Sequence, residues 1–175
     1  MEIRPLEAAD RGALEEFLRR IPEGDRTFFK EPVDNRSVLD SWLQDSAGRW
    51  LAAEHETVLG YCAVVPLHGW SSHVGEVRLI VDPAHRGEGV GTALARHATL
   101  EAFGTGLSKL VVEVLATQEF TIAMFSSLGF DPEALLTGQV RGRNGELLDL
   151  MILAHTAADA SAAIAAAGLA ESDIY

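Results

Sequence analysis

The chain of 175 residues is poor in cysteine and contains no long apolar run. Its single cysteine, Cys62, cannot form an internal disulfide, which excludes a disulfide-stapled secreted fold. No window approaches the roughly 18 apolar residues that a membrane-spanning helix needs. The charged N-terminal segment Met1–Pro5 also lacks the apolar stretch of a secretion signal. We therefore expect a cytoplasmic protein with no membrane partner.

Basic side chains are scarce as well, since 14 Lys and Arg face 26 Asp and Glu and give a formal net charge of −12. This balance works against nucleic-acid binding, which relies on basic side chains that neutralise phosphates. An acidic cleft would raise the local concentration of a cationic or amine substrate. Acidity is also an ordinary route to solubility. The charge therefore argues against a nucleic-acid partner, so none is expected, and it is compatible with an amine substrate.

The remaining composition, 47% hydrophobic and 23% charged, is typical of a globular protein, and the length predicts a single domain over residues 1–175. Apolar spacing predicts helices after Asp10 and over Ser37–Asp45, Gly89–Phe103 and Phe120–Leu128. Strands are predicted over Trp50–His55, Val58–Pro66, Glu76–Val81 and Lys109–Leu115, followed by a hairpin with a type I′ turn at Asn144-Gly145. Residues 156–175 are expected to form a peripheral C-terminal helix. This order predicts an α+β fold with a mixed, mostly antiparallel sheet of six to seven strands flanked by helices.

The chemically informative segment runs from Val81 to Leu94 and reads VDPAHRGEGVGTAL. A strand leaves the sheet, passes through a loop with three alternate glycines and enters a helix. Glycine permits a positive φ and lets a bulky anion approach the backbone. The loop N–H groups and the helix N-terminus would point at that anion, and Arg86 adds a full charge with a bidentate fork. The segment therefore predicts a pyrophosphate cradle.

The glycine pattern alone leaves the identity of the pyrophosphate open. A dinucleotide-binding oxidoreductase is one alternative, but its fingerprint belongs to repeated βαβ units, whereas three successive strands precede this loop. A Walker-type nucleoside triphosphate loop is excluded because no Gly-Lys-Ser/Thr sequence ends the segment.

Two motifs together resemble the GNAT superfamily of acetyl-coenzyme A-dependent N-acetyltransferases. Arg86-x-x-Gly89-x-Gly91 follows a strand that ends in VDP, and the segment FSSLGF ends at Phe130. The resemblance covers about residues 50–153. It implies an acyl-coenzyme A N-acyltransferase-like fold and an enzyme that moves an acetyl group from acetyl-coenzyme A, as cosubstrate, to a primary amine. Transfer would be direct, within a ternary complex, and the acceptor a small-molecule or peptide amine.

The resemblance also implies a set of cofactor-binding residues. The backbone N–H groups of a continuous loop would hold the pyrophosphate: Arg86, Gly87, Glu88, Gly89, Val90, Gly91 and Thr92. The strand edge at Ile80 and Val81 would pair with the pantetheine amides, and a strand N–H there would stabilise the oxyanion. Gln118 stands where the family usually has asparagine, and Phe125 lies where many members have a tyrosine that protonates the leaving thiolate.

Glu76 is the first candidate for the general base because it opens the strand that should line the site. Glu113 is the second, since it interrupts an apolar strand where burying a carboxylate is costly unless it is paired or used. His73 and Glu31, from adjoining loops, are further candidates. Phe125 has no proton to give, so a non-catalytic or slow acyl-coenzyme A-binding, regulatory module is the alternative function. The histidines show no metal-ligand spacing, so no metal is predicted, and a homodimer is possible by resemblance.

Overall fold

The structure is a computed structural model that describes residues 1–26 and 29–159. Within these residues the strands are β1 Glu2–Pro5, β2 Arg49–Glu54, β3 Thr57–Pro66, β4 Val74–Val81, β5 Lys109–Leu115, β6 Asp131–Arg141 and β7 Leu147–Thr156. The helices are α1 Arg11–Arg20, α2 Glu23–Arg26, α3 Arg36–Gln44, α4 Val90–Gly104 and α5 Glu119–Ser127. The strands form a seven-stranded sheet in the order β1-β2-β3-β4-β5-β7-β6. The predicted α+β class with a mostly antiparallel sheet and flanking helices is confirmed.

The chain divides into two compact units, described in turn below. One comprises Met1–Val65 and Glu76–Ala102, and the other comprises Pro66–Gly75 and the chain from Phe103 onward. The single domain predicted over residues 1–175 stays a prediction. Most of the predicted C-terminal helix, residues 160–175, lies outside the described residues. Thr156 itself is the last residue of β7, and the described residues 157–159 that follow it are helical.

In the first unit, the periodicity of α1 produces its buried face. Leu14, Phe17 and Leu18 repeat at helical spacing and are all buried. The predicted second helix is confirmed as α3, with Asn35 as N-cap accepting a hydrogen bond from the Ser37 N–H at 3.0 Å. The short helix α2 was not predicted from the sequence.

A glycine on β3 lets helix α4 pack directly on the sheet. A Cβ on Gly60 would lie 2.8 Å from Leu94 Cδ1 and 3.1 Å from Val90 Cγ1, and also 3.2 Å from the Ile80 carbonyl oxygen. Val90 is the first residue of α4 and is buried. The close approach therefore anchors the N-terminus of α4 beside β3 and β4.

In the second unit, the predicted end of α5 is confirmed. Gly129 has a φ of 90° and follows the helix in the left-handed conformation that suits a helix C-terminus. The Phe130 N–H donates to the Phe125 carbonyl at 3.1 Å. The two rings then meet edge to face at 5.2 Å, and Phe130 also packs on His155 at 5.3 Å. Phe125 and Phe130 are thereby placed in the core.

The hairpin between β6 and β7 is present, but its predicted turn type is wrong. A type I′ turn needs a positive φ at both central residues. Among the described residues only Lys30 and His55 have a positive φ without being glycine, so Asn144 does not. Of the two central residues of this turn, only Gly145 adopts a left-handed φ, of 84°. The turn is closed by a hydrogen bond of 2.8 Å from the Gly142 N–H to the Glu146 carbonyl.

Candidate functional site

The loop between β4 and α4 starts from a buried carboxylate. Asp82 accepts a hydrogen bond from the Ala84 N–H at 3.0 Å and one from Arg20 Nε at 2.6 Å. Burial alone would raise the pKa of Asp82, but the Arg20 guanidinium and the Ala84 N–H lower it below its ordinary value. Arg20 also donates to the Val58 carbonyl at 2.7 Å. This ion pair ties α1 and β3 to the start of the loop.

Two of the loop glycines have backbone conformations that other residues rarely adopt. Gly87 has a φ of 79° and Gly89 a φ of 83°. A Cβ on either would meet no atom within 4 Å, so neither glycine is required by protein packing. Residues 86–89 are all exposed. The loop thus has two left-handed residues, Gly87 and Gly89, with open space beside each.

Helix α4 begins with backbone N–H groups that have no partner within the helix. Val90 is the first residue of α4, so the N–H groups of Val90, Gly91 and Thr92 precede the first intrahelical hydrogen bond of this helix. The next one, of Ala93, donates to the Gly89 carbonyl at 3.0 Å and begins the hydrogen bonding of α4. Consecutive unpaired amides at a helix N-terminus attract anions. The loop residues therefore fit the diphosphate of coenzyme A.

Arg86 is not an unpaired cation. Its Nη2 donates to Asp25 Oδ2 of α2 at 2.6 Å, and its Nε lies 3.4 Å from the Val81 carbonyl. The Arg86 side chain is 51% exposed and that of Asp25 is 28% exposed. An anion that binds this guanidinium would therefore compete with the carboxylate of Asp25. No local sequence signal indicates a contact between residues so far apart in the chain.

Glu76 is buried, with 8% exposure, and both of its carboxylate oxygens are engaged. Lys30 Nζ donates to Oε1, and Arg78 Nη2 donates to Oε2 at 3.0 Å. Burial by itself would raise the pKa of Glu76, but Lys30 and Arg78 lower it below the ordinary glutamate value. Glu76 is therefore an ion-paired carboxylate at neutral pH. Its role as general base stays a prediction.

Arg78 links Glu76 to a second carboxylate. Its Nη1 lies 3.2 Å from Glu31 Oε1, and Glu31 Oε2 accepts a hydrogen bond from Trp42 Nε1 at 2.5 Å. The buried Nε of Arg78 has no hydrogen-bond partner among the described residues. Trp42 in turn stacks on Tyr61 with ring centroids 4.9 Å apart. Glu31, a weaker candidate base, thus serves to hold Arg78 and the aromatic core together.

The reasoning that selected Glu113 is wrong in one respect. Strand β5 alternates, with Leu110, Val112 and Val114 buried and Glu113 exposed. A strand buried on one face places every second residue on the other face, so Glu113 does not carry the cost of burial. His73 contributes its backbone carbonyl, which accepts from the Ser108 N–H at 2.9 Å. The catalytic roles of both stay predictions.

Two further predicted cofactor residues have local structural roles. Gln118 precedes α5, and its Oε1 accepts from the Leu115 N–H at 3.2 Å, so its carbonyl oxygen stabilises the turn after β5. Phe125 is only 1% exposed and packs in the core. On β4, Ile80 is buried and Val81 is half-buried. Contact of any of these residues with a cofactor stays a prediction.

Sequence reasoning missed Lys30, Arg78 and Asp25. A signal for Arg78 was present, because residues two apart on a strand share a face and Glu76 was already a candidate. Lys30 lies in a segment without periodicity, so its contact with Glu76 follows only from the fold.

Within the part of the chain that the structure describes, no helix is long and apolar enough to span a bilayer. The same residues contain no group of three or more His, Cys, Asp or Glu side chains that could hold a metal ion. The predicted absence of a metal requirement stays a prediction.

Comparison with known proteins identifies a family. Residues 13–130 match the family model described as "Acetyltransferase (GNAT) family". The chain is 46% identical over 68 residues to a mycothiol acetyltransferase of Nocardia farcinica (strain IFM 10152), a match that covers 38% of this chain and 22% of that protein. The chain spans less than half of the length of the curated relatives it matches.

Solved structures share the fold. An N-acetyltransferase from Staphylococcus aureus Mu50 superposes with a TM-score of 0.76 at 21% identity, covering 89% of this chain and 97% of that one. The structure of yncA from Salmonella typhimurium with its cofactor acetyl-CoA superposes with a TM-score of 0.71 at 22% identity, covering 89% and 92%. At this identity the likeness shows the fold alone, and it confirms the predicted N-acyltransferase-like architecture.

Proposed function

Because the chain belongs to the acetyltransferase (GNAT) family, we propose that it transfers the acetyl group of acetyl-coenzyme A directly to a primary amine. The acceptor is a small-molecule or peptide amine, bound together with acetyl-coenzyme A in a ternary complex. One observation carries the proposal: the N–H groups of Val90, Gly91 and Thr92 come before the first intrahelical hydrogen bond of α4, which the Ala93 N–H donates to the Gly89 carbonyl. A row of such amides beside two left-handed glycines suits a diphosphate.

The loop residues would hold coenzyme A by its diphosphate. The amides from Arg86 to Thr92 supply the hydrogen bonds, and the N-terminus of α4 adds about half a positive charge. Arg86 supplies a charge-assisted bond once it leaves Asp25. The exposed backbone at Gly87 and Gly89 leaves room for the phosphate oxygens. When bound, acetyl-coenzyme A supplies an activated thioester and a leaving thiol.

Glu76 is the proposed general base. Its lowered pKa keeps the carboxylate ionised at neutral pH, so it can accept a proton from an acceptor ammonium or from a water. The ammonium of the acceptor would exchange with Lys30 at Oε1, while Arg78 keeps Oε2 in place. To replace the charge that Lys30 supplies at Oε1, the acceptor would enter as a cation.

Two measurements on the same protein test the proposal: calorimetric titration with coenzyme A, and release of free thiol from acetyl-coenzyme A against a panel of amines. We expect saturable binding and amine-dependent thiol release. Arg86→Ala should weaken binding, whereas Arg96→Ala, a matched loss of one exposed arginine on α4, should not. Binding of NAD in preference to coenzyme A would contradict the proposal.

A second candidate function is a binding module that senses acyl-coenzyme A without turnover. It is favoured by the apolar, buried Phe125 at the position where resemblance predicts a tyrosine acid, and by the two ion pairs that occupy Glu76. The same paired assay separates the two functions. Tight binding of coenzyme A with no thiol release for any amine would favour the sensor.

A further inference from the structure

Lys30 presents a primary amine to the proposed general base. Its Nζ donates to Glu76 Oε1, while its side chain is still 34% exposed and therefore accessible to a second molecule. Glu76 lies on β4, five residues before Val81 and the loop that follows it. Those steps span about 16 Å at the rise of a β-strand. One strand thus carries the diphosphate loop at one end and the paired amine and carboxylate at the other.

The backbone at Lys30 is held in an unusual conformation. Its φ is 59°, in the left-handed region that is costly for a residue with a Cβ. The neighbour Phe29 is 1% exposed and packs on Trp42, and the neighbour Glu31 is fixed by Arg78 and Trp42. Strain of this kind persists only where the surroundings impose it, and it clusters at functional sites. Because Phe29 and Glu31 are both held in place, the Lys30 side chain between them is directed toward Glu76.

We propose that Lys30 is an acetylation site on which the protein acts in cis, with acetyl-coenzyme A as donor. The inference rests on the proposed function. The Lys30 ammonium gives a proton to Glu76, and the neutral Nζ attacks the thioester carbonyl carbon. The N–C bond forms, the C–S bond breaks, and the leaving thiolate takes up a proton. The products are N-acetyl-Lys30, free coenzyme A thiol and one proton in excess.

Proximity provides the physical basis. An amine already hydrogen-bonded to its base needs no further encounter with it, and such positioning accelerates transfer strongly. Acetylation would abolish the positive charge of Lys30, so Glu76 would lose one of its two cationic partners and keep Arg78. The modification would therefore release Oε1 for the ammonium of an external acceptor.

The sequence contains a matched internal control. Lysine occurs only twice in the 175 residues, as Lys30 and Lys109. Lys109 also pairs with a glutamate, Glu133, and its side chain is 28% exposed. The two amines thus resemble each other in exposure and in having a carboxylate partner. They differ in that Lys30 is hydrogen-bonded to Glu76, the proposed base, whereas Lys109 pairs with Glu133.

The experiment incubates the full chain with acetyl-coenzyme A and follows acetyl occupancy at Lys30, Lys109 and the N-terminal amine by peptide mass spectrometry. We expect Lys30 to be labelled at least about tenfold faster than Lys109, at a rate independent of protein concentration. A small reactive acetyl ester, used in place of acetyl-coenzyme A, gives the intrinsic reactivity ratio of the two lysines. Glu76→Gln should remove the preference for Lys30 and leave the labelling of Lys109 unchanged. Lys30→Arg should keep the positive charge beside Glu76 and show no acetyl label at position 30.

Equal labelling of Lys30 and Lys109, or a rate that rises with protein concentration, would overturn the inference. If coenzyme A binds and amines are acetylated while Lys30 stays unlabelled, the inference alone fails. If coenzyme A does not bind at all, the proposed function and the inference fail together.

Discussion

Because Arg86 is paired with Asp25 in the ligand-free protein, we expect one substitution at this ion pair to strengthen cofactor binding, whereas most substitutions at a binding site weaken it. The Nη2–Oδ2 distance is 2.6 Å, so in the ligand-free protein the guanidinium is occupied by a carboxylate. A diphosphate at the loop must displace Asp25 from Arg86 or share the cation with it. Replacing the carboxylate by an amide removes this competition. Asp25→Asn should therefore tighten the binding of coenzyme A.

The magnitude follows from the exposure of the pair. Because Arg86 is 51% and Asp25 28% exposed, solvent screens their attraction, and the pair is worth about 0.2–1 kcal/mol. Releasing it should lower the Kd for coenzyme A by about 1.4- to 5-fold. Arg86→Ala should remove charge-assisted bonds worth about 1.5–3 kcal/mol. Since the ligand-free protein also loses its own ion pair, the net weakening should be about 0.5–2.8 kcal/mol.

The assay is calorimetric titration with coenzyme A at low salt, on the two single variants and the double variant. In the Arg86→Ala background, Asp25→Asn should have no further effect, because the competition acts only through Arg86. Asp34→Asn is the matched control. Asp34 forms a similar exposed ion pair with Arg26 at 2.5 Å, and the variant changes the net charge equally without touching Arg86.

Two results would refute this reasoning. Unchanged or weaker affinity in Asp25→Asn would mean that Asp25 orients Arg86 for the ligand instead of competing with it. Equal tightening in Asp34→Asn would mean that only the overall negative charge of the protein matters.

Three further predictions concern stability and the site. Gly89→Ala and Gly145→Ala both place a Cβ at a φ near 83° with no atom within 4 Å, so each should lower the free energy of unfolding in urea by about 1–2 kcal/mol. Only Gly89→Ala should weaken coenzyme A binding. A similar loss of coenzyme A affinity in both variants would contradict the site. The pKa of Asp82 is lowered, so its stabilising contribution is present above its ordinary pKa and lost as pH falls through the folded value. Asp82→Asn should therefore cost about 1–3 kcal/mol at pH 7 and much less once the pH has fallen below the folded pKa of Asp82. A pH-independent cost would refute the ion pair with Arg20. Phe125→Tyr should lower the unfolding free energy by about 1–3 kcal/mol, because its hydroxyl would be buried, without raising kcat; a higher kcat would show that the ring reaches the reacting atoms.

Features that depend on neighbouring residues in the chain could be predicted from the sequence. The glycine loop could be predicted because Gly87 and Gly89 stand in a short segment between a strand and a helix, and both have a positive φ. The end of α5 at Gly129 could be predicted for the same reason. The match to the GNAT family over residues 13–130 agrees with the resemblance drawn from the loop and from the segment ending at Phe130.

Features that depend on distant residues could not be predicted in this way. The apolar run of β5 indicated a strand but not which face is buried, so the exposure of Glu113 emerged only from the fold. The partner of Arg86 is 61 residues away in sequence, and no periodicity relates a loop arginine to an aspartate in a short helix. Burial and partner choice are set by tertiary packing, which decides which polar groups lose water and which cations replace it.

The ion pairs of Glu76 determine how this site could work as an acetyltransferase. A buried carboxylate without partners would have a raised pKa and would be partly protonated near neutral pH. Lys30 and Arg78 reverse that effect and lower the pKa, so Glu76 stays ionised as the pH falls to the ordinary glutamate value. In the proposed mechanism, protonation of Glu76 would therefore not limit the rate near neutrality. The limit in that mechanism would be access to the oxygens of Glu76. Since Lys30 occupies Oε1, a cation that replaces Lys30, or a change that neutralises it, would control whether the proposed base can act.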